Sequence, residues 1–265
     1  MDYSLRAVLS YRAAQPCDAL LQIEAATDPN QTILNESLTF AAAIASQTIN
    51  GEGDIGIRRW LHIPQNLDCV YEALVRVTRP QKPIANLPAT AFSQLPGEVN
   101  TYLMPSRYCH PEQVLNLIEQ QFSNLQGGSL IQAMSDWIFA NMTYDITASH
   151  AGTAAHESLT ARSGVCRDFA HILITLARGA GLPARYVSAY GPAVSPQDFH
   201  ALVEVFLDGA WHLVDPTGMT KPDEVIRIGV GRDAADVSFL TSYGFLELKN
   251  QSVAVHQRPQ TSAQQ

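Results

Sequence analysis

The chain has few of the features that mark membrane, nucleic-acid-binding or disulfide-rich proteins. No uninterrupted apolar run approaches the roughly 18 residues of a transmembrane helix, so the sequence predicts no membrane span. Lysine and arginine number 17 against 25 acidic residues, which gives a formal net charge of −8. A nucleic-acid-binding face would need concentrated basic residues, and the basic residues here are scattered. We therefore expect neither a membrane nor a nucleic acid as a partner.

Cysteine is also scarce. The four cysteines, Cys17, Cys69, Cys109 and Cys166, lie far apart and form no C-x-x-C pair, which argues against a zinc site or a small disulfide scaffold. A Cys17–Cys69 bridge stays open, but we favour a reduced cytoplasmic protein. The segment MDYSLRAVLSYR is typical of a strand and lacks the apolar core of a signal peptide. We predict no metal and no other cofactor.

The sequence instead contains a β-rich part followed by a helical part and further strands. Short strand-like runs at roughly ten-residue spacing predict an antiparallel sandwich in the first part. The whole pattern predicts an α+β fold: a β-rich accessory domain at 1–95, a connector at 96–110 and a catalytic domain at 111–265. The connector follows a proline-rich stretch, which is typical of a domain boundary. The tail PQTSAQQ has no apolar residue, and we predict that it is disordered.

Helical periodicity predicts three helices, within 110–122, 129–142 and 165–185. Gly127–Gly128 is interpreted as the break between the first two, and residues 143–164 as a loop.

The segment FHALVEVFLDGAWHLVDPTG supports a specific geometric prediction. Asp208–Gly209 between two alternating apolar runs is a strong signal for a two-residue hairpin turn. If Leu207 lies opposite Ala210, the side chains of His200 and Asp215 become diagonal neighbours on one face of the hairpin. Their Cβ atoms are then about 7 Å apart or less, so the carboxylate can orient the imidazole. A register error of one residue would separate them.

Cys166 follows Gly164–Val165 at the predicted start of the third helix. A helix N-terminus favours a thiolate, and a neighbouring imidazolium would stabilise it further and protonate a leaving amine. Cys166, His200 and Asp215 therefore form a candidate nucleophile, base and orienting carboxylate. The alternative is a buried structural cysteine with an ordinary strand histidine and a turn-forming aspartate. The residues alone leave both interpretations open.

Other candidates are weaker. Cys166 and His171 are five positions apart on a helix and point in different directions, unlike a helical zinc pair, so we expect His171 to face the core. Cys109 and His110 are adjacent, and sequence neighbours seldom form a nucleophile–base pair. Trp137 and Tyr144 are candidates to wall a substrate groove, although the spacing of Trp137 fits core packing equally well.

Three segments resemble the bacterial transglutaminase-like proteins of the papain-like cysteine-enzyme superfamily. They are SGVCRDFAHILITLARGAGLPARYVSAY, FHALVEVFLDGAWHLVDPTG and RIGVGRDAADVSF. The family pattern joins G-x-C-x-D at a helix start, a strand that begins with His, and W-x-x-x-D-P-T; these motifs contain Cys166, His200 and Asp215. YLMPSRYC and the β-rich first hundred residues resemble the accessory N-terminal domain of these bacterial proteins.

The resemblance implies a helical layer that carries the cysteine, packed on an antiparallel sheet that carries the histidine and aspartate. It implies Cys166 as nucleophile, His200 as general base and acid, and Asp215 as orienter. It does not fix the reaction, because the superfamily includes transglutaminases, peptidases and amidases. The calcium sites of animal transglutaminases have no counterpart here, so no metal is expected.

We expect a peptide or protein substrate and hydrolysis of an amide or peptide bond through a thioester. Transamidation is the alternative, and a non-catalytic interaction module is the rival from another class. A homo-oligomer is compatible with the sequence.

Overall fold

A computed structural model of the chain describes residues 1–259. Within this range the strands form three four-stranded sheets and one short two-stranded sheet. The strands are β1 (Asp2–Ala13), β2 (Cys17–Leu21), β3 (Gln31–Phe40), β4 (Ala45–Asn50), β5 (Ile57–Ile63), β6 (Asn66–Val77), β7 (Thr143–Tyr144), β8 (Ser163–Gly164), β9 (Ala184–Tyr190), β10 (His200–Leu207), β11 (Ala210–Val214), β12 (Ile226–Gly231), β13 (Leu240–Ser242) and β14 (Leu246–Arg258). The α-helices are α1 (Leu115–Phe122), α2 (Gly127–Asn141), α3 (Ala155–Ala161) and α4 (Cys166–Gly179).

The first two sheets pack face to face as a sandwich. Their strand orders are β14–β1–β6–β3 and β13–β2–β5–β4. In β1, alternate residues such as Tyr3 and Leu9 are buried, as expected for a pleated strand with one face on a core. They share this core with Leu21 and Ile63 of the second sheet. The predicted α+β class with an N-terminal sandwich-like domain is confirmed.

The third sheet, β11–β10–β9–β12, is covered on both faces. Every residue of β9, β10 and β12 is buried, as expected for strands that contact the rest of the protein on both sides. Helix α4 packs against β10 and β9, and its Leu173 shares a core with Val203 and Val205. Tyr190 and Ile226 belong instead to the core of the sandwich. The sheet therefore joins the helices to the sandwich.

The predicted hairpin is present in the predicted register. Asp208 and Gly209 have φ angles of 51° and 72°, as a two-residue type I′ turn requires. The ladder runs from Leu207 opposite Ala210 to Val203 opposite Val214. It ends there, so the segment after β11 turns away instead of continuing along β10.

The helical region differs from prediction at two places. Gly127 and Gly128 do not interrupt the helices; they are the first residues of α2. A Cβ atom on Gly128 would lie 1.7 Å from the carbonyl oxygen of Ile84, so only glycine allows this close approach. Within the predicted loop, residues 155–161 form α3, which is too short to show a clear period in the sequence.

The sandwich also contains elements that local patterns did not reveal. Strand β4 was not predicted, because its residues are polar and mostly exposed. β13 and β14 were assigned to the second domain, yet they pair with β2 and β1 of the sandwich. This assignment is corrected: periodicity identifies a strand but not its partner. The remaining division into 1–95, 96–110 and 111–265 stays a prediction.

Two further predictions concern the tail and the membrane. The tail predicted to be disordered falls mainly on residues 260–265, outside the described residues. Across residues 1–259, no helix is both long enough and apolar enough to cross a membrane.

Candidate active site

The start of α4 presents Cys166 at the surface of the domain. Asp168 turns back and accepts a hydrogen bond from the backbone N–H of Val165 (2.9 Å), which caps the helix. A Cβ atom on Gly164 would lie 2.7 Å from the Cβ atom of Asp168, so glycine is needed beside this cap. The spacing G-x-C-x-D therefore has a mechanical reason: the glycine and the aspartate fix the turn from which the cysteine projects.

Cys166 differs from the other cysteines in its exposure. All four are free thiols, so the Cys17–Cys69 bridge is absent, and Cys166 alone is partly exposed whereas the others are buried. Burial raises the pKa of the Cys69 thiol and of the Cys109 thiol to about 12. A thiol of this kind is inert at neutral pH. Among the four, Cys166 is the one that a substrate can reach.

His200 and Asp215 form a buried pair beside Cys166. The Nε2–H of His200 donates to Oδ2 of Asp215 (2.9 Å), and their side chains are 0% and 2% exposed. Nδ1 of His200 has no hydrogen-bond partner within residues 1–259. Burial lowers the pKa of His200, but the hydrogen bond to Asp215 and the charge of a Cys166 thiolate outweigh it and raise the pKa to about 10. The imidazole is therefore protonated at neutral pH.

Asp215 is held by two threonines that the sequence analysis did not identify. Oδ1 accepts hydrogen bonds from the backbone N–H and the hydroxyl of Thr217, at 2.9 and 2.6 Å. Oδ2 accepts from the same two groups of Thr220, at 2.9 and 2.7 Å. Burial raises the pKa of Asp215, but the bonds from His200 and the threonines outweigh it and lower the pKa. The carboxylate therefore stays charged and keeps one orientation.

Tyr144 approaches Cys166 from another direction. Strands β7 and β8 pair in parallel and place Tyr144 opposite Gly164, two residues before the cysteine. Burial, followed by the charge of a Cys166 thiolate, raises the pKa of Tyr144 above its usual value. The phenol is therefore neutral at neutral pH and can donate a hydrogen bond near the thiol.

Residues 118–216 match the family model of the transglutaminase-like superfamily. The matched range contains Cys166, His200 and Asp215.

The resemblance to known proteins extends beyond this transglutaminase-like domain. A crystal structure of a putative cysteine protease from Cytophaga hutchinsonii superposes with a TM-score of 0.90 at 28% identity, over 97% of this chain and 90% of that one. The sandwich and the transglutaminase-like domain thus occur together in both proteins.

Mycobacterial relatives are more distant or match over less of their length. An uncharacterized protein of Mycobacterium tuberculosis is 26% identical over 255 residues, covering 85% of this chain and 81% of that protein. An uncharacterized protein of Mycobacterium leprae is 30% identical over 118 residues, and the match spans only 42% of that protein.

A cleft of about 520 Å³ opens beside Cys166 and His200. One wall comes from the transglutaminase-like domain and includes Tyr186. The other wall is formed by the segments that contain Tyr108 and residues 234–242. YLMPSRYC and RIGVGRDAADVSF contribute to the family resemblance, but they were not predicted to line the cleft, because no local pattern shows which segment they face.

A larger concavity, about 1350 Å³, lies on the outer face of the sheet that contains β1. Four of its charged residues already form ion pairs with each other, Arg6–Glu72 and Arg76–Asp2. No cysteine is among the residues that line it. We therefore place the candidate chemistry in the smaller cleft, which contains a thiol and a buried histidine.

The remaining candidates, His171, Cys109 and Trp137, are buried or packed against the core. His171 is fully buried, as predicted, and Cys109 is buried in the same core. Trp137 packs partly against that core and lies under the guanidinium of Arg162 at 4.9 Å. Its contacts are therefore those of a packing residue.

Proposed function

We propose that the protein is a cysteine-dependent hydrolase of amide or peptide bonds. The observation that carries the proposal is the buried His200–Asp215 pair beside an accessible Cys166. A buried imidazole with one nitrogen bound to a carboxylate and the other free next to a thiol is the arrangement that activates a cysteine nucleophile. The match of residues 118–216 to the family model of the transglutaminase-like superfamily supports the same assignment.

In the resting state, the proposed nucleophile is a thiolate balanced by the His200 imidazolium. Its position at the first turn of α4 also favours negative charge, because unpaired backbone N–H groups point outward there. Asp215 keeps Nε2 of His200 occupied and so directs Nδ1 to the thiol.

In the acylation step, the Cys166 sulfur attacks the substrate carbonyl and its oxygen becomes an oxyanion. The backbone N–H of Cys166 and the hydroxyl of Tyr144 are the donors that we assign to this oxyanion. His200 gives its proton to the leaving amine, and the acyl group remains on the sulfur as a thioester. Neutral His200 then takes a proton from water, which attacks the thioester and releases the acid and the Cys166 thiolate, so that the resting ion pair is restored.

Transamidation would follow the same course with a primary amine in place of water. The substrate as a peptide or protein, and the cytoplasm as its location, rest on the sequence alone and stay predictions.

The test combines labelling with product analysis. Iodoacetamide at mildly acidic pH should modify Cys166 before the three buried cysteines. Peptide and glutamine-amide substrates, each with and without a primary amine, should be turned over by the wild type and by Cys17→Ala, a control in the sandwich. Cys166→Ala should abolish turnover and leave the melting temperature nearly unchanged. Released acid indicates hydrolysis, and an amine adduct indicates transamidation. Turnover that persists in Cys166→Ala would contradict the proposal.

A further inference from the structure

We propose that the cleft binds a carboxylate of the substrate at Arg107 and Arg167, so that the preferred substrates are anionic next to the bond that is cleaved. The inference deepens the proposed function by naming a substrate class. Its binding part can be tested without catalysis.

The lining of the cleft has a charge opposite to that of the whole chain. The chain carries a formal net charge of −8. The cleft is lined by Arg107, Arg167 and His200, and no aspartate or glutamate is among its lining residues. Two arginines in a site without acidic side chains form a local positive field that attracts anions.

Arg167 follows Cys166 directly and is fixed in place. Its Nη2 donates to the hydroxyl of Ser149 (2.7 Å) and to the backbone oxygen of His150 (2.6 Å). Its side chain is 22% exposed. All hydrogen bonds of this guanidinium within residues 1–259 are donated by Nη2, and Nη1 donates none. The guanidinium is therefore held in place beside the nucleophile by one nitrogen, and Nη1 is the donor that a substrate can use.

Arg107 provides the second charge. It is exposed, and within the part of the chain that the structure describes it forms no ion pair. Its Cζ atom lies 5.2 Å from the centre of the Tyr108 ring, and Cζ of Arg167 lies 6.0 Å from the same ring. Tyr108 itself lines the cleft. Both guanidinium groups thus border one aromatic side chain of the cleft wall.

The nearest carboxylates are buried in the walls and are used there. Asp168 caps α4 and contacts Arg167 at 3.2 Å. Asp233 accepts hydrogen bonds from the backbone N–H groups of Tyr108 and Ala235, both at 2.9 Å. The side chains of Asp168, Asp215 and Asp233 are almost fully buried and do not line the cleft. In the cleft itself the His200 imidazolium balances the Cys166 thiolate, so the two guanidinium groups are the charges that a substrate meets.

In a peptide substrate, the anionic group that two arginines would bind is a carboxylate. The planar guanidinium forms charge-assisted, often bidentate hydrogen bonds with carboxylates. The carboxylate can be an acidic side chain or a free C-terminus, and both present the same chemistry to the cleft.

The experiment measures peptide binding to Cys166→Ala, which cannot turn substrate over. A matched peptide set carries Glu, Gln or Lys at one position, each with a free or an amidated C-terminus, and fluorescence anisotropy gives Kd at low and high ionic strength. We expect the Glu peptide to bind about tenfold more tightly than the Gln peptide, with the Lys peptide weakest. High salt should reduce the difference. If Kd depends on whether the C-terminus is free or amidated and not on the Glu side chain, the C-terminus is the source of the carboxylate.

Variants in the Cys166→Ala background test the two arginines. Arg107→Gln should weaken binding of the Glu peptide about fivefold and leave the Gln peptide unchanged. Arg12→Gln is a matched change at an exposed arginine of β1 and should leave the Kd of both peptides unchanged. Arg167→Lys keeps the charge but loses the planar fork, and should give an intermediate loss. Equal Kd values for all peptides, or no effect of Arg107→Gln, would overturn the inference.

Wild-type turnover of the same peptides separates the two proposals. Acidic peptides that bind selectively but are not cleaved would contradict the hydrolase and leave this inference standing. Cleavage of the Glu, Gln and Lys peptides at equal rates would contradict this inference and leave the hydrolase proposal standing.

Discussion

Two buried histidines lie near the cleft, and their pKa values are shifted in opposite directions. His200, at the start of β10, bonds to Asp215 and has its pKa raised to about 10. His171, on α4, accepts a hydrogen bond at Nε2 from the backbone N–H of Ala234 (3.2 Å). Burial, followed by the charge of Arg167, lowers its pKa to about 3. Both imidazoles are almost fully enclosed, so the partner and not the burial decides which of them carries a proton.

The different partners also separate the roles of the two residues. His171 stacks on Tyr108, with ring centres 5.0 Å apart, and supports the wall of the cleft from behind. His200 lines the cleft itself. The neutral histidine is thus a packing and positioning group, whereas the charged histidine can exchange a proton with a substrate.

The largest expected effect is the loss of His200. His200→Gln removes the proposed general acid and base, and we expect kcat to fall by about 10²–10⁴-fold. His171→Gln is the matched change at an equally buried histidine and should lower kcat by less than about tenfold. Steady-state kinetics on a substrate found in the screen measures both, and thermal melting checks that both variants fold. An equal fall in kcat for both variants would contradict the assignment of different roles to His200 and His171.

A smaller effect is expected when the carboxylate partner is changed. Asp215→Asn keeps the shape of the pair but removes the charge that holds the proton on His200. We expect the pKa of His200 to fall from about 10 towards its ordinary value, and kcat to fall by about 10²-fold or more. NMR titration of the His200 imidazole measures the change in its pKa. Thr220→Val, which removes one donor to Asp215, is a milder control. An unchanged His200 pKa in Asp215→Asn would contradict the assigned cause.

A third expected effect concerns stability, and not turnover, as a function of pH. Folded His171 stays neutral down to a pKa of about 3, whereas the unfolded chain binds this proton near 6.5. Stability from this group is therefore present above 6.5 and is lost as pH falls towards 3, by at most about 1.4 kcal/mol per pH unit. His200 has the opposite sign: its contribution is full below 6.5 and is lost as pH rises towards 10.

Urea unfolding of the wild type and of His171→Gln across this pH range measures the first contribution. The wild type should lose more stability on acidification than the variant. Parallel curves would mean that His171 titrates normally.

The hairpin and the site could be predicted from the sequence because they depend on local geometry. Asp208–Gly209 fixes the register as far as Val203 opposite Val214. Asp215 follows directly and bonds to His200 from the segment after β11, so the predicted pair forms although the ladder does not extend to it. The start of α4 follows from the Gly164 and Asp168 spacing. These features involve residues close together in the chain, where turn chemistry and periodicity leave few alternatives.

The remaining features depend on contacts between distant segments. The pairing of β7 with β8 brings Tyr144 to the thiol through strands of only two residues, which leave no period in the sequence. The opposite wall of the cleft comes from the segments around Tyr108 and 234–242. The place of β13 and β14 in the sandwich likewise depends on which edges are free once the other strands have assembled.

The pairing of β1 with β14 has a consequence for how the protein is made. β1 lies between β6 and β14, and the register joins Asp2 to Arg258. During synthesis, β1 can pair with β6 long before β14 leaves the ribosome. Until then one edge of β1 is open, with unpaired backbone groups that can recruit strands from other chains. Truncation before residue 246 would make this exposure permanent, so aggregation of the sandwich, more than loss of the cleft, should limit the yield of shortened chains.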